Sequence, residues 1–508
     1  MDLFKQPRKI GRILFIYPPL TTHTDYATES KGTHPPIGIS YIAALLEKDY
    51  DVGIVDCVVE DYYHEEPVAE NIIRYGLSYE GIMKKVAEFK PDLVGVSNLF
   101  SSSAEDSIRV CSAVKAVDRN IITMLGGPHP SAIPEHPLAS PDVDFAILGE
   151  GEIPTQSLLK ALEAGDERLL EGVAFLKDDT MVKWERKNYV DDLDTLPFPA
   201  RHLLPMDKYL SISNAFLTTK RTPFTPMITS RGCPAKCTFC PVHAAWGKQW
   251  RARSPENVIA EIDELYHKYG IREIHFDDDN ITLDKRRAMT IFQTMIDRKY
   301  DLIWTAPSGI ALWALDEELI EKMAESGCYK LFMAIESGDE YVLKHVIRKP
   351  LKLKNVPILA KKIREVGIEM EAFFVVGMPG ETKDQLRQTF RFARELDADN
   401  TLYFYANPIP GSPLYEEAMK HQYISKEFDY TKLRVSTANL NTPQMSATEL
   451  ERMVARENLR MRFTYAFKHP VRAATRYGRY IRKDPRVVYK SISGYLVKSV
   501  GLGQGASS

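Results

Sequence analysis

Cys233, Cys237 and Cys240 stand at C-x3-C-x2-C spacing within Ser230-Arg231-Gly232-Cys233-Pro234-Ala235-Lys236-Cys237-Thr238-Phe239-Cys240-Pro241. Three thiolates on so short a loop can reach three irons of a cubic 4Fe–4S cluster and leave the fourth iron without a protein ligand. An open iron can bind a small chelating molecule that presents an amine and a carboxylate. Gly232 and Pro234 suit a loop folded tightly around a cofactor, and Phe239 lies between the last two cysteines. Zinc is the competing occupant, because His243 follows three residues later and would complete a Cys3His set. A disulfide framework fits poorly: three clustered cysteines leave one over, and no secretory segment is evident. Residues 1–20 hold only a five-residue apolar run, 13–17, stopped by Pro18-Pro19, too short for a signal peptide or a membrane span.

The cysteine loop follows an apolar segment, 226–229, that reads as a strand end. Further strands are expected at 273–277, 302–306, 330–335, 370–376 and 402–406. Helical patterns separate them at 255–269, 285–298, 316–326, 356–366 and 383–396. Six strands with helical crossovers predict a partial (β/α)6 TIM-type barrel whose chemistry lies at the carboxyl ends of its strands.

Before the cysteines, strand and helix also alternate. Strands are expected at 12–17, 52–55, 93–97, 121–125 and 145–148, with helices at 39–48, 79–89 and 104–117. That pattern is an α/β, doubly wound, Rossmann-like parallel sheet, in which ligands bind beyond the carboxyl ends of the strands. Those ends carry Ser97-Asn98-Leu99, Gly126-Gly127-Pro128-His129-Pro130 and Gly149-Glu150-Gly151-Glu152, small residues that let a bulky planar ligand approach the backbone. Between the units, 154–224 reads as a packed linker with short strand-like pieces near 172–175 and 181–184. The expected division is 1–153, 154–224, 225–416 and a small helical, basic region at 417–508.

The cysteine motif, with its aromatic before the third cysteine, and the strand pattern after it resemble the radical S-adenosylmethionine superfamily. The Gly-Gly-Pro-His-Pro and Gly-Glu-Gly-Glu strand ends resemble the cobalamin-binding domain that precedes many of its members. The resemblance implies a 4Fe–4S cluster, S-adenosyl-L-methionine and cobalamin as cofactors, with Cys233, Cys237 and Cys240 as metal ligands. It implies Phe239 beside the open iron and Asp278, in the run Asp277-Asp278-Asp279-Asn280, near the methionine amine. It places Glu336 and Ser337 toward ribose or the methionyl carboxylate, and Gly377, Pro379 and Gly380 near adenine. Ser97, Leu99, Gly126, Gly127, Gly149, Glu150 and Gly151 would line the cobalamin site. The D-x-H-x-x-G motif that gives cobalt an axial histidine elsewhere is absent, and His23 lacks its neighbours, so no protein imidazole on cobalt is expected. At 307–312 no arginine stands where relatives often carry one.

The activity implied is a radical SAM methyltransferase acting on an unactivated carbon of a small-molecule or lipid substrate, with a flavodoxin- or ferredoxin-type electron donor. A cobalamin-linked radical cyclase, oxidase or rearrangement enzyme is the second reading. A non-catalytic metal- or cobalamin-binding regulator is the third. A tRNA methylthiotransferase is disfavoured, since its second cluster wants three further cysteines and the first unit has only Cys57 and Cys111.

Composition bounds these readings. With 44% hydrophobic and 27% charged residues and a net charge of −3, the chain reads as a cytoplasmic globular protein with no call for nucleic acid. Residues 460–498, however, carry eleven Lys/Arg against the single acid Asp484, interleaved with Tyr477, Tyr480, Tyr489 and Tyr495. A solvated helical face and peripheral contact with the inner membrane surface both fit that stretch.

Overall fold

The protein was analysed as a computed structural model, which describes residues 4–23, 31–70, 72–212, 219–425, 427–434, 437–471 and 473–474. Two parallel sheets organise it. In the first, Arg12–Tyr17 lies between Asp51–Asp56 and Leu93–Ser97, followed outward by Ile122–Gly126 and Phe145–Ile147, all parallel. The strand Arg-Ile-Leu-Phe-Ile-Tyr has no polar face because both of its sides are covered. Ile13 and Phe15 enter one apolar core, and Leu14 and Ile16 enter the other.

The expected linker contributes to this sheet. Val173–Lys177 and Thr180–Trp184 form an antiparallel hairpin that extends it beyond Phe145–Ile147. The rest of the linker is wedged between the units: Arg201, 1% exposed, pairs with Glu261 of helix Pro255–His267 at 2.7 Å. Arg253 holds the other side of Glu261 and also donates to Tyr41 Oη of the first unit at 3.3 Å. A three-stranded antiparallel sheet of Leu20–His23, Glu65–Ala69 and Ile72–Tyr75, not expected from the sequence, stands beside the first unit.

The second sheet runs Phe224–Met227, Glu273–Phe276, Ile303–Ala306, Cys328–Glu336, Glu369–Val376 and Asn400–Tyr405, parallel throughout and in sequence order. This is the expected open barrel of six strands. Residues of one parity, such as Ile274, Phe276, Trp304, Leu331, Met333, Phe374 and Val376, pack under the helices in one core, where Trp304 stacks on Phe292 at 4.9 Å. Helix starts are capped by Ser254, Asp284 and Asp316, and Thr382 with Gln385 forms a reciprocal capping box. The last described helix, Ala447–Lys468, begins at the Ser446 cap, and Leu450 and Val454 join the barrel core. Most of the basic stretch, from 475 onward, lies outside the described residues. Among the described residues no helix is long and apolar enough to cross a membrane.

Candidate active site

The cysteine loop is held at its start, middle and end. Before it, Asp278 accepts from Thr229 N at 2.7 Å, Thr229 Oγ1 at 2.6 Å and Ser230 Oγ at 2.5 Å. Ser230–Arg231 pairs with Arg251–Ala252 as a two-residue antiparallel ribbon. Gly232 then turns with φ of 86°, and a Cβ there would stand 2.4 Å from Gln249 O, so only glycine fits. Its N–H donates to Asp279 at 3.0 Å. In the middle, Thr238 N donates to Ile347 O at 2.9 Å, Thr238 Oγ1 to Val346 O at 2.8 Å, and Leu414 N to Thr238 O at 2.8 Å.

The donor chemistry of this loop fits an iron–sulfur cluster. Cys233, Cys237 and Cys240 are free thiols. Burial pushes Cys237 up to about 11, against the pull of Lys349, and Cys240 up to about 12, so ligation there releases protons. His243 Nε2 donates to Cys233 O at 2.9 Å. Among the described residues no three His, Cys, Asp or Glu side chains close on a single metal ion. Three thiols on one short loop suit a cluster that gives each thiolate its own iron. Cys57, Cys111 and Cys328 are buried.

The remaining predicted residues divide. Asp278 has both carboxylate oxygens committed to the strand before the cysteines, a different role from the expected contact with the methionine amine. Asp277, half-buried and raised by burial, has no hydrogen-bond partner for its carboxylate among the described residues, and His34 and His275 bear on it electrostatically. Glu336 has φ of 71° and pairs with buried Lys349 at 2.7 Å; Lys349 in turn feels Cys237 and Cys240. Ser337 is fully buried against Thr389 Oγ1 at 3.2 Å, away from the strand-end space. Gly377, with φ of 83°, donates to Glu381 at 2.7 Å and faces Leu450, while Gly380 N donates to Gln444 at 3.2 Å; Pro379 lies between them. Phe239 is partly buried against an apolar cluster that includes Val342, Leu414 and, from the first unit, Ile133.

The barrel interior has two kinds of wall. Phe332, Phe373 and Phe404 follow one another across three strands with ring separations of 5.3 and 5.0 Å. Across the sheet, Glu273 accepts from Tyr329 Oη at 2.6 Å and contacts His275 at 2.7 Å, while Lys330 pairs with Glu371 at 3.1 Å.

In the first unit the strand ends form a shallow platform. Asn98 N donates to Gly126 O at 2.7 Å, and Asn98 Oδ1 is buried without a partner. Leu99 and Phe100 are exposed, 40% and 55%, at the edge of a sheet where apolar side chains otherwise go inside. A Cβ on Gly126 would meet only Ile147, at 3.5 Å, whereas one on Gly127, φ of 126°, would stand 2.4 Å from Asn98 O. Gly127 is thus demanded by the chain itself, and Gly126 is the one that leaves room. Gly149 N donates to Ser131 Oγ at 2.7 Å, and Gly151 approaches Ile42. Exposed apolar residues, an open glycine and an orphaned amide oxygen fit a planar, amide-bearing ligand such as cobalamin. Ser97 closes its strand here, and the His23 backbone pairs with Ile72 in the small antiparallel sheet.

Glu150 has a structural partner set that the sequence reading missed. It meets Arg231 at 3.2 Å and also Arg251, while Glu152 takes the other arm of Arg231 at 2.7 Å. All four side chains are at most 5% exposed. The loop at the end of Phe145–Ile147 is thereby tied to the residue two before Cys233.

Comparison with known proteins agrees with this geometry. The B12 binding domain family matches residues 24–159 and the Radical SAM superfamily matches residues 227–393. Cytidylyl-2-hydroxyethylphosphonate methyltransferase of Streptomyces wedmorensis is 34% identical over 461 residues, 83% of this chain and 85% of that protein. The uncharacterized methyltransferase PH0819 of Pyrococcus horikoshii is 31% identical over 420 residues, 82% of this chain and 85% of its own length. Among solved structures, the radical S-adenosylmethionine methyltransferase TsrM of Kitasatospora setae shares the fold with a TM-score of 0.64 at 16% identity, covering 81% of this chain and 76% of that one.

Proposed function

Because the chain belongs to the cobalamin-binding radical S-adenosylmethionine enzymes, we propose that it methylates an unactivated carbon of a small-molecule substrate. The observation that carries the reading is the buried junction of Arg231 and Arg251 with Glu150 and Glu152, which brings the cysteine loop and the cobalamin platform to one interface. The relatives at 34% and 31% identity are both named as methyltransferases, which favours methyl transfer over cyclisation.

When bound, the cluster with S-adenosylmethionine supplies a 5′-deoxyadenosyl radical and cobalamin supplies the methyl group. Cys233, Cys237 and Cys240 would hold three irons, and the platform of Gly126, Asn98 and Leu99 would hold the corrin. The two cofactor units are the first sheet, which takes in the hairpin Val173–Lys177 and Thr180–Trp184, and the barrel of 225–416, followed by 417–508. Asp278, Gly232 and Thr238 keep the cysteine loop rigid, so the distance between the two cofactors is set by the fold. The phenylalanine wall excludes water from the barrel interior and suits an apolar part of the substrate. Asp277, at the carboxyl end of its strand, offers a polar contact across from it. The electron comes from a flavodoxin- or ferredoxin-type donor in the cytoplasm. A lipid substrate with peripheral membrane contact rests on the basic stretch 460–498, most of which lies outside the described residues.

The test is anaerobic reconstitution of the full chain with iron, sulfide, cobalamin and S-adenosylmethionine carrying a deuterated methyl group, added to metabolite extracts of cells lacking the gene. A product that retains the intact trideuteromethyl group supports the proposal. Production of 5′-deoxyadenosine with a product of rearranged skeleton and no added label overturns methyl transfer and favours the cyclase reading.

A further inference from the structure

Arginines at the junction of the two units follow a rule that one of them breaks. Arg231, Arg251, Arg253 and Arg201 are each paired with a buried carboxylate. Arg74 has Asp106 at 2.9 Å and Glu66 at 3.3 Å. Arg287 lacks a carboxylate but gives its Nε to Arg253 O at 2.6 Å and an Nη to Thr229 O at 2.9 Å. Arg434 is half-buried, and among the described residues its guanidinium has neither a hydrogen-bond acceptor nor a carboxylate within ion-pair distance. Burial holds its pKa below the usual value, against the pull of Asp106. Asp106 is itself already engaged by Thr21, Arg74 and Tyr79 at 2.6, 2.9 and 3.2 Å.

The chain leading up to Arg434, and its own carbonyl, are held, so the side chain is presented rather than left over. Asn407, just past the last barrel strand, donates to Arg434 O at 2.6 Å, and Asn439 donates to Asn407 Oδ1 at 2.7 Å. Upstream, Tyr430–Lys432 packs on Ser101–Ser103 and on helix Ala104–Val117 of the first unit. The Tyr430 ring lies 5.3 Å from His129 and 5.0 Å from His136, and its hydroxyl is 3.0 Å from that of Tyr415. Arg434 therefore projects from a rigid segment that already leans on the strand-end loop of the platform.

A guanidinium stays charged at any accessible pH and carries five donors in a plane matched to phosphoryl oxygens. Held partly out of water with no carboxylate paired to it, among the described residues, it costs free energy that an oxyanion would offset. We propose that Arg434 is the anchor for a phosphoryl-type oxyanion bound where the 97–103 loop meets residues 430–434. Two molecules could bring that group: cobalamin, through the phosphodiester of its nucleotide tail, or the substrate, through a phosphate or phosphonate. The first source rests on the reading that the platform takes cobalamin; the second does not.

The experiment compares wild type with Arg434→Gln and Arg434→Lys in the full chain. The contacts that seat this segment are made by its backbone and by Tyr430, so neither substitution should alter thermal unfolding. Binding of cobalamin and of cobinamide, which lacks the nucleotide and its phosphodiester, is followed by absorbance, and binding of methylphosphonate by 31P line broadening. If the cofactor brings the oxyanion, wild type binds cobalamin more tightly than cobinamide. Arg434→Gln then erases that preference, by about tenfold or more, and Arg434→Lys retains part of it. If the substrate brings it, corrinoid binding is the same in all three proteins, and Arg434→Gln loses methylphosphonate binding by a similar factor. Unchanged corrinoid preference together with unchanged methylphosphonate binding overturns the assignment. Failure of wild type to bind either corrinoid would overturn the reading of the platform instead, and the methylphosphonate arm would still decide Arg434.

Discussion

Replacing Glu150 with Gln tests whether the junction is held by charge. The wild-type carboxylate lies between Arg231 and Arg251, and both arginines are at most 4% exposed. A glutamine keeps one acceptor but turns an amide N–H toward the other guanidinium. Arg231 would retain Glu152, whereas Arg251 would be left with the carbonyls of Val190 at 2.8 Å and Trp246 at 3.1 Å. Removing one partner of a buried ion pair costs about 3 kcal/mol or more, because the survivor stays buried and unpaired. That is a factor of about 150 in the local opening equilibrium. The readout is amide hydrogen exchange in the ribbon formed by Ser230–Arg231 and Arg251–Ala252, where protection should fall by about that factor. Asp166→Asn, which breaks an exposed pair with Arg168, should leave the ribbon unchanged. Glu150→Gln protein with wild-type protection in the ribbon would refute the view that these charges set the junction.

Three further outcomes follow from the geometry. Cys240→Ala should lose the iron–sulfur absorbance and S-adenosylmethionine cleavage together, and a variant that still yields 5′-deoxyadenosine would contradict the loop's assignment. Gly126→Ala should fold normally, since its nearest neighbour is Ile147 at 3.5 Å, yet lose cobalamin retention. Gly127→Ala should instead lower the unfolding temperature, because its Cβ meets Asn98 O; wild-type cobalamin loading in Gly126→Ala would place the corrin elsewhere. Burial raises the Glu381 carboxyl from 4.5 to about 7. A raised folded-state value contributes stability that is complete below the unfolded value and is lost as pH rises through the folded one. Wild type should therefore weaken relative to Glu381→Gln by about 1 kcal/mol between about pH 6 and pH 8, read from denaturation midpoints; parallel pH profiles for the two proteins would show that Glu381 does not titrate there.

The two sheets were legible because period and composition coincide: each parallel strand is an apolar run between turn residues, and helices with capped starts separate them. The hairpin Val173–Lys177 and Thr180–Trp184 read as linker because it is short and its second strand is largely exposed. Its membership of the sheet depends on a partner well upstream. The role of Asp278 was within reach of the sequence. Ile274, Phe276 and Asp278 share one parity, and the first two are core, so Asp278 had to point to the covered side while Asp277 faced the interior. The same count from Met333 and Ile335 places Ser337 under the helices. What no local pattern could show is the meeting of Glu150 and Glu152 with Arg231 and Arg251, since a buried ion pair between distant loops has no periodic signature.

The hydrogen bond from Leu414 N to Thr238 O also sets an order of events during synthesis. Domains fold largely as they emerge, amino-terminal part first. The platform and the three cysteines leave the ribosome long before Leu414, and before Gly411, whose backbone fits against Ala132 and Ala244 because it has no side chain. Until that segment arrives, one side of the cysteine loop has no clasp. If the three thiols hold a cluster, they would be open to loading while the last barrel strands are being made, and the arrival of residues 411–414 would end that interval. Stalled chains that stop before Gly411 are expected to exchange cluster iron faster than the released protein does.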